Sequence, residues 1–142
     1  MTELDPSHHF FRHIKKSCMD GEFVEPAAFR LRTDDGRLEE GLSINWFEYF
    51  QTTTPEAAIT PLRNILDGKG RKVGGDSKFA FLNVGAAKTA AAQHTPVAIV
   101  FDEEENDRSH ALVKGYEVYN EQVAEALQKV IIATYPPRTE TI

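Results

Sequence analysis

One histidine of this sequence stands where a side chain could move a proton. His110 lies in the segment Arg108–Leu112, at the point where an acidic loop runs into a predicted strand. Imidazole titrates near neutral pH, so a histidine at the mouth of a strand can serve as a general acid or base. The competing interpretation is a histidine that only hydrogen-bonds the backbone of its loop. We take His110 as the candidate catalytic residue.

Three arginines could bind the charge of a substrate for such a histidine. Arg12, Arg30 and Arg32 carry guanidinium groups, whose forked geometry suits carboxylate and phosphate oxygens. They are far from His110 in sequence, so the fold would have to bring them into one pocket. That arrangement predicts a small enzyme acting on a nucleotide-like or other anionic substrate.

A glycine-rich basic stretch, residues 68–78, matches a phosphate-binding loop only in part. It holds four glycines and four basic residues, but Asp76 stands where that motif requires lysine. The stretch also leads into a predicted strand, whereas a phosphate-binding loop opens a helix. We therefore predict a flexible basic loop. A weaker anion-binding pattern is the strand, glycine and helix sequence at Asn83–Thr89.

Metal and thiol chemistry find little support in the sequence. The acidic run Asp102–Asp107 lacks the alternating ligands and the glycine of a calcium loop. His9 and His13 would share a face only if their segment were helical. Cys18 is the only cysteine, which excludes an internal disulfide and a cysteine-based zinc site. We therefore predict no metal and no cofactor.

Length and charge limit the class of protein. The chain has 142 residues, of which 41% are hydrophobic and 27% charged, so it fits one globular domain over residues 1–142. We expect residues 1–6 and 136–142 to fray. The net charge of −6 argues against nucleic acid as a partner, since nucleic acids select basic surfaces. A nucleic-acid surface would require the basic segment His8–Lys16 to lie beside residues 68–78.

The lone thiol and the apolar content also predict a compartment. A single cysteine, Cys18, suits reducing surroundings. No apolar run approaches the roughly 18 residues that a membrane span requires. The first residues lack the charged head and apolar segment of a secretory signal. We therefore expect a cytoplasmic protein with no membrane partner.

Hydrophobic periodicity predicts the elements that would hold these residues. Residues 8–16 alternate in polarity and favour a strand over a helix. Val24–Arg32 also alternates and predicts a strand, although Pro26 could instead begin a short helix. Thr54–Pro55 is typical of a helix start, and Pro61 would either kink that helix or begin a second one.

The second half of the chain carries the clearest patterns. Residues 78–84 and 96–102 predict strands, and residues 110–118 predict a third strand in a hairpin with the second. Residues 86–93 favour a short helix and Tyr119–Thr134 an amphipathic one. The predicted fold is α+β, with a mixed or mainly antiparallel sheet of four to five strands and the C-terminal helix packed on one face.

The segment Glu40–Phe50 concentrates aromatic residues beside a polar fringe. Asn45, followed by Glu48, resembles a capping box, which would start a helix at Trp46. We expect most of the rings to build the core, because a domain of this size has few other large anchors. The residues at the rim of the segment are predicted binding residues: Ser43, Asn45, Trp46 and Phe47.

These features support two hypotheses of function. The first is a protein-interaction or accessory module without catalytic activity, whose partner is another protein chain or a second copy; aromatic residues are enriched at interfaces. The second is the small enzyme with His110 as acid or base. An exposed Trp46 or Phe47 would favour the first, and an arginine within about 4–6 Å of His110 in a concave site the second.

Three short segments carry a resemblance to known proteins. They are Ala27–Leu31 (AAFRL), Gly41–Trp46 (GLSINW) and Ser109–Val113 (SHALV). Together they resemble a pattern in small hypothetical proteins of bacteria. The resemblance implies a bacterial source and carries over no functional residue.

Overall fold

The fold is built around one antiparallel sheet. The computed structural model describes residues 2–31, 33–34, 37–38, 40–118 and 120–137 of the chain. The strands in that part are β1 (His9–Ile14), β2 (Met19–Asp20), β3 (Phe23–Val24), β4 (Thr33–Asp34), β5 (Arg37–Leu38), β6 (Leu42–Trp46), β7 (Lys78–Asn83), β8 (Ala98–Phe101), β9 (His110–Lys114) and β10 (Ala133–Tyr135). Six of them form the sheet in the order β10–β7–β1–β6–β9–β8, and all neighbours in it are antiparallel. The other four form the hairpins β2–β3 and β4–β5.

Helices cover both faces of this sheet. The α-helices in the described residues are α1 (Pro55–Gly68), α2 (Val84–Ala92) and α3 (Glu121–Lys129). Each starts at a capping side chain that accepts a backbone N–H: Thr54, Asn83 and Asn120. The predicted start at Thr54–Pro55 is therefore confirmed, and α1 runs through Pro61 as one helix. Among the helices that the structure describes, none combines the length and apolar character that a membrane crossing requires.

The two faces of the sheet hold two separate apolar clusters. Successive strand residues point to opposite faces, and residues paired across antiparallel strands point to the same face. Phe10 pairs with Leu82, and both lie in the cluster under α2 and α3. Phe11 pairs with Phe81 in the cluster under α1. Burying a phenylalanine contributes roughly 1.5–3 kcal/mol, so the central strands stabilise both layers.

The predicted α+β class is confirmed, but the sheet has one strand more than the upper prediction. The C-terminal helix is shorter than the predicted Tyr119–Thr134, because α3 ends at Lys129 and the chain continues into β10. The residues in between are β-branched, which favours an extended backbone. The N–H of Ile132 donates to the carbonyl of Phe81 at 2.8 Å and so joins this segment to the sheet.

The predicted strand at Val24–Arg32 is wrong in its centre. A 3₁₀ helix occupies Pro26–Phe29, which is the short-helix alternative that Pro26 left open. Proline has no N–H to donate to a sheet, and its fixed φ suits a helical turn. The N–H of Ala28 closes that turn on the carbonyl of Glu25 at 3.0 Å. Arg32 lies outside the described residues.

The predicted capping box at Asn45 is also wrong. Strand β6 runs through Asn45 to Trp46, and a 3₁₀ helix at Phe47–Phe50 follows without a side-chain cap. The amide of Asn45 is engaged elsewhere, as described below, so it cannot cap a helix. Glu48 instead accepts the backbone N–H of His9 at 2.9 Å.

The expected fraying of the N-terminus does not extend over residues 2–4. Glu3 bridges to Val100, and the N–H of Leu4 donates to the carbonyl of Ile99 at 2.8 Å. Leu4 is buried in the cluster under α2 and α3. This segment therefore lies along β8 and covers the outer edge of the sheet. At the other end of the chain, residues 138–142 lie outside the described residues.

Candidate functional site

Polar side chains from two neighbouring strands meet on the face of the sheet that α1 covers. Asn45 of β6 pairs with His110 of β9, and also with Phe11 of β1. Phe11 belongs to the cluster under α1, so Asn45 and His110 point to that side. Ser43, two residues before Asn45 in the same strand, points there as well. The structure thus brings the predicted catalytic residue, His110, together with two of the predicted binding residues, Ser43 and Asn45.

The loop between β8 and β9 folds back over His110. Glu104 and Asp107 exchange two backbone hydrogen bonds of 3.0 and 3.1 Å. The N–H of Asp102 donates to the carbonyl of His110 at 3.0 Å, which extends the hairpin by one pair beyond β8. The loop therefore has a fixed path that carries its carboxylates to the imidazole.

His110 is held between a carboxylate and a hydroxyl. Its Nδ1 lies 3.0 Å from the carbonyl oxygen of Asp102 and 3.1 Å from a carboxylate oxygen of the same residue. Both oxygens only accept, so Nδ1 carries the proton and donates it. In the neutral ring Nε2 is then an acceptor, and the hydroxyl of Ser43 lies 3.2 Å from it. His110 is only 5% exposed, whereas Ser43 is half-buried.

Asp107 organises the rest of the site. It is 1% exposed and accepts from the Asn45 amide at 2.9 Å, the Ser109 hydroxyl at 2.7 Å and the Lys69 ammonium at 2.9 Å. Burial by itself would raise the pKa of Asp107, but the hydrogen bonds from Ser109 and Lys69 and the charge of Lys69 lower it below the ordinary value. This carboxylate is therefore ionised and ties the sheet to the loop.

Lys69 ties the same loop to α1. It follows the last residue of that helix, and its side chain is only 9% exposed. Its ammonium donates to Glu104 at 2.7 Å in addition to Asp107. A buried ammonium requires such partners, because an unpaired charge in a protein interior is strongly destabilising.

The surroundings of His110 are acidic. Asp102 and Glu104 supply two carboxylates near its ring, and Lys69 pairs with Glu104 and with the Asp107 carboxylate of the same loop. Asp102, Glu104 and His110 offer ligand atoms that all lie within 4.8 Å of one another, a donor set that could hold a divalent cation. Glu104, however, already shares its charge with Lys69. The sequence did not predict this group.

Two of the arginines predicted to join His110, Arg12 and Arg30, lie elsewhere. Arg12 pairs with Ala80, which belongs to the cluster under α2 and α3, so Arg12 points to the opposite face from His110. Its guanidinium donates to the carbonyls of Ala28 at 3.0 Å and Ser43 at 2.8 Å. Arg30 forms an ion pair with Glu121 of α3. The predicted grouping of arginines around His110 is therefore wrong for Arg12 and Arg30.

The predicted aromatic binding residues face inward. Trp46 pairs with Phe10 on the α2 and α3 side, and its ring stacks on His8 and meets Phe101 edge-on. Phe47 meets Phe11 and Phe81 edge-on, with centroids 5.7 and 5.2 Å away. Neither ring is among the exposed large apolar side chains of the described residues. Their main role is packing, which agrees with the expectation that this segment builds the core.

Sequence reasoning missed five residues of the site, and one of them left a usable signal. Pairing of Phe101 with Ala111 in the predicted hairpin places Asp102 opposite His110. Register alone would therefore have found Asp102. The other four carry no comparable signal, because they depend on the loop fold and on the position of α1: Lys69, Glu104, Asp107 and Ser109.

Comparisons of the chain with protein-family models, curated proteins and solved structures give no match. Function must therefore be inferred from the residues and distances of the site itself.

Proposed function

We propose that the protein is a hydrolase that forms an acyl intermediate on Ser43, with His110 as its general base. The observation that supports this is the position of His110 between the Ser43 hydroxyl at 3.2 Å and the Asp102 carboxylate at 3.1 Å. A serine, a histidine and a carboxylate in this order can activate the serine on any fold, because the arrangement depends on geometry and not on sequence position.

The three groups divide the reaction among themselves. The Ser43 oxygen attacks a substrate carbonyl carbon while its proton passes to Nε2 of His110. The imidazolium that forms is stabilised by the carboxylate and the carbonyl oxygen of Asp102, which both hold the Nδ1 proton. Nε2 then protonates the leaving group. Water hydrolyses the ester on Ser43 with the same base; such proton transfer contributes roughly 10²–10⁴ in rate.

The charge of the site selects the class of substrate. The carboxylates of Asp102 and Glu104 have oxygens within 4.8 Å of a ring nitrogen of His110, so an acyl group with its own negative charge would be repelled. A neutral or cationic ester or amide suits the site better. This replaces the anionic substrate expected from the sequence, which depended on arginines of which Arg12 and Arg30 lie elsewhere.

A fluorophosphonate probe, which reacts with activated serines, tests the proposal. We expect peptide mapping to find the adduct on Ser43 in the parent chain. Labelling should disappear in Ser43→Ala, and it should fall at least about tenfold in His110→Gln and Asp102→Asn, because the base or its orienting partner is lost. Hydrolysis of 4-nitrophenyl acetate should follow the same order and should be insensitive to a chelator.

Ser17→Ala is the matched control, since Ser17 is an exposed serine outside the site. It should label as the parent does. Absence of an adduct on Ser43 would refute the hydrolase, as would labelling that does not depend on His110. Loss of hydrolysis on adding a chelator would instead assign the reaction to a cation held by Asp102, Glu104 and His110.

An interaction or accessory module without catalysis stays the alternative proposal. Its support is the exposure of three large apolar side chains, Phe23 at 52%, Tyr49 at 38% and Ile132 at 57%. Tyr49 lies in the 3₁₀ helix Phe47–Phe50 that directly follows the site strand β6, so a partner chain or a second copy could contact it. Sedimentation of the parent and of Tyr49→Ser over a range of concentrations tests self-association; a pull-down with both chains tests a different partner.

We also propose a bacterial cytoplasmic location. Cys18 is buried and is the only cysteine, so the chain forms no internal disulfide, and a protein without disulfides suits reducing surroundings. A bacterial source rests on the resemblance of the AAFRL, GLSINW and SHALV segments. Fractionation of the native cell would check the compartment, and recovery from the periplasm would contradict it.

A further inference from the structure

A second histidine lines a basic cavity next to the α1 cluster. His13 of β1 pairs with Phe79, so it shares the α1 side of the sheet with His110. The cavity has a volume of about 210 Å³ and opens between the end of β1 and the loop that leads into β7. Its lining includes the three lysines Lys15, Lys16 and Lys72.

His13 has a polar atom that the protein leaves unsatisfied. Its Nε2 is inaccessible to solvent and has no hydrogen-bond partner among the described residues. The ring itself packs against Phe79, with centroids 5.2 Å apart. Buried polar atoms without a partner are rare, and each one calls for an explanation such as a bound ligand.

The potential at this histidine is positive. Burial, followed by the charges of Arg12, Lys15 and Arg71, lowers the pKa of His13 to about 4. Asp76 is the one carboxylate among the residues that line the cavity. It is highly exposed and lies 3.6 Å from Lys16, so it offsets little of the charge in the cavity.

We propose that this cavity binds the phosphate group of a small phosphorylated molecule. Lysine ammonium groups bind phosphate oxygens as point charges, and a turn of the His13 ring, which lines the cavity, would bring Nε2 to the bound anion as the partner that it lacks. Cavities for drug-sized ligands usually measure about 300–1,000 Å³, so this one fits a phosphate-sized group better than a whole nucleotide. The site shares no residue with the proposed hydrolase site and stands or falls independently of it.

Both basic stretches of the sequence, His8–Lys16 and residues 68–78, contribute to this cavity. A nucleic-acid surface would require these two stretches to be adjacent. Lys15 and Lys16 come from the first stretch, and Lys72 with Gly74 and Gly75 from the second. A nucleic-acid surface would need basic residues along an extended track, whereas these line one small cavity on a chain with net charge −6. The chemistry therefore favours a single phosphate group over a polynucleotide.

Calorimetric titration at constant ionic strength tests the proposal with three probes: inorganic phosphate, glycerol 3-phosphate and a twelve-residue oligothymidylate. We expect the first two to bind the parent chain. Affinity should fall at least about tenfold in the double variant Lys15→Gln, Lys72→Gln, because both ammonium groups are lost. In NMR spectra of histidine-labelled protein, phosphate should shift the ring signals of His13 and leave those of His110 in place.

The double variant Arg108→Gln, Lys129→Gln is the matched control, because it also removes two positive charges, from exposed residues outside the cavity. It should change affinity less than about twofold. Equal binding in the parent and the Lys15→Gln, Lys72→Gln variant would refute the site, as would phosphate-induced shifts at His110 but not His13. Tighter binding of the oligothymidylate than of glycerol 3-phosphate, with a steep loss in salt, would also refute it in favour of a nucleic-acid surface.

Discussion

Two histidines on the same side of one sheet have opposite surroundings. His110 has partners at both ring nitrogens, and two carboxylates lie near its ring. His13 has a buried Nε2 that finds no partner in the described part of the chain, and it lies among basic residues. The protein itself supplies hydrogen-bond partners for the ring nitrogens of His110, whereas it leaves Nε2 of His13 unsatisfied among the described residues. This difference is the reason for proposing a ligand at the second site and not at the first.

The same contrast decides what each histidine can do with a proton. A carboxylate beside His110 stabilises the imidazolium that a general base must form. Arginine and lysine charges beside His13 oppose the charged ring, so His13 stays neutral at neutral pH. Only an anion in the cavity would reverse that preference. His110 is therefore suited to catalysis and His13 to sensing or binding an anion.

We expect the largest change in stability from the variant that lacks the Asp107 carboxylate, because Asp107 holds the His110 region together. Asp107→Ala leaves the Lys69 ammonium and the Asn45 amide without their shared acceptor. Loss of one partner of a buried ion pair costs about 3–5 kcal/mol, so the free energy of unfolding should fall by that amount. Urea titration followed by tryptophan fluorescence measures it.

Arg108→Ala is the control from the same loop. Arg108 pairs with Glu103, and their side chains are 66% and 60% exposed, so the change should stay within about 0.5 kcal/mol. Equal destabilisation by the two variants would mean that the whole loop is weakly held. The view of a pre-organised His110 region would then be wrong.

Local patterns explain how much of the fold the sequence predicted. Alternating polarity predicts the hairpin of β8 and β9, and Thr54–Pro55 predicts the start of α1. Both signals depend only on residues that are close together in sequence. The errors fall where distant contacts decide. The segment after Lys129 forms a strand because it pairs with the edge strand β7. Asn45 does not cap a helix because its amide donates to Asp107 instead.

The candidate site was predictable only in part for the same reason. His110, Ser43 and Asn45 were chosen by residue type, and the β6–β9 register brings them together. Arg12 was misplaced because a one-residue difference along a strand decides which face a side chain takes. Lys69 reaches the site only through the way α1 packs, a relation that no local pattern encodes. The residue types thus pointed to the site. The sequence did not show which face of the sheet each side chain takes or which distant residues become its neighbours.

A smaller effect tests the His13 region through pH. The folded pKa of His13 is about 4, below the ordinary value of 6.5, so the unfolded chain binds more protons between these limits. Stability attributable to His13 should therefore fall as pH drops from 6.5 towards 4, by roughly 2–3 kcal/mol after solvent screening. Urea titrations of the parent and of His13→Phe at several pH values isolate this part.

The charged groups that set this behaviour come from β1 and from the loop before β7: Arg12, Lys15 and Arg71 oppose the charged ring. Added phosphate should reduce the difference between the parent and His13→Phe at pH 5, because a bound anion favours the imidazolium. Parallel pH curves for the two proteins, without phosphate, would show that His13 is an ordinary exposed histidine and would remove the contrast with His110.

The smallest expected effect sharpens the comparison within the His110 region itself, where two serines play different parts. Ser43→Ala removes a half-buried hydroxyl with one 3.2 Å contact to His110, so it should lower the free energy of unfolding by less than about 1 kcal/mol. Ser109→Ala removes a fully buried hydroxyl that bonds Asp107 at 2.7 Å and the Asn45 amide at 2.9 Å, and should cost about 1–3 kcal/mol.

A catalytic serine is expected to be dispensable for folding and essential for labelling, whereas Ser109 should show the reverse. If urea titration finds Ser43→Ala as costly as Ser109→Ala, while fluorophosphonate labelling of the parent is absent, then Ser43 belongs to the structural network and His110 is a histidine held in place only for the fold.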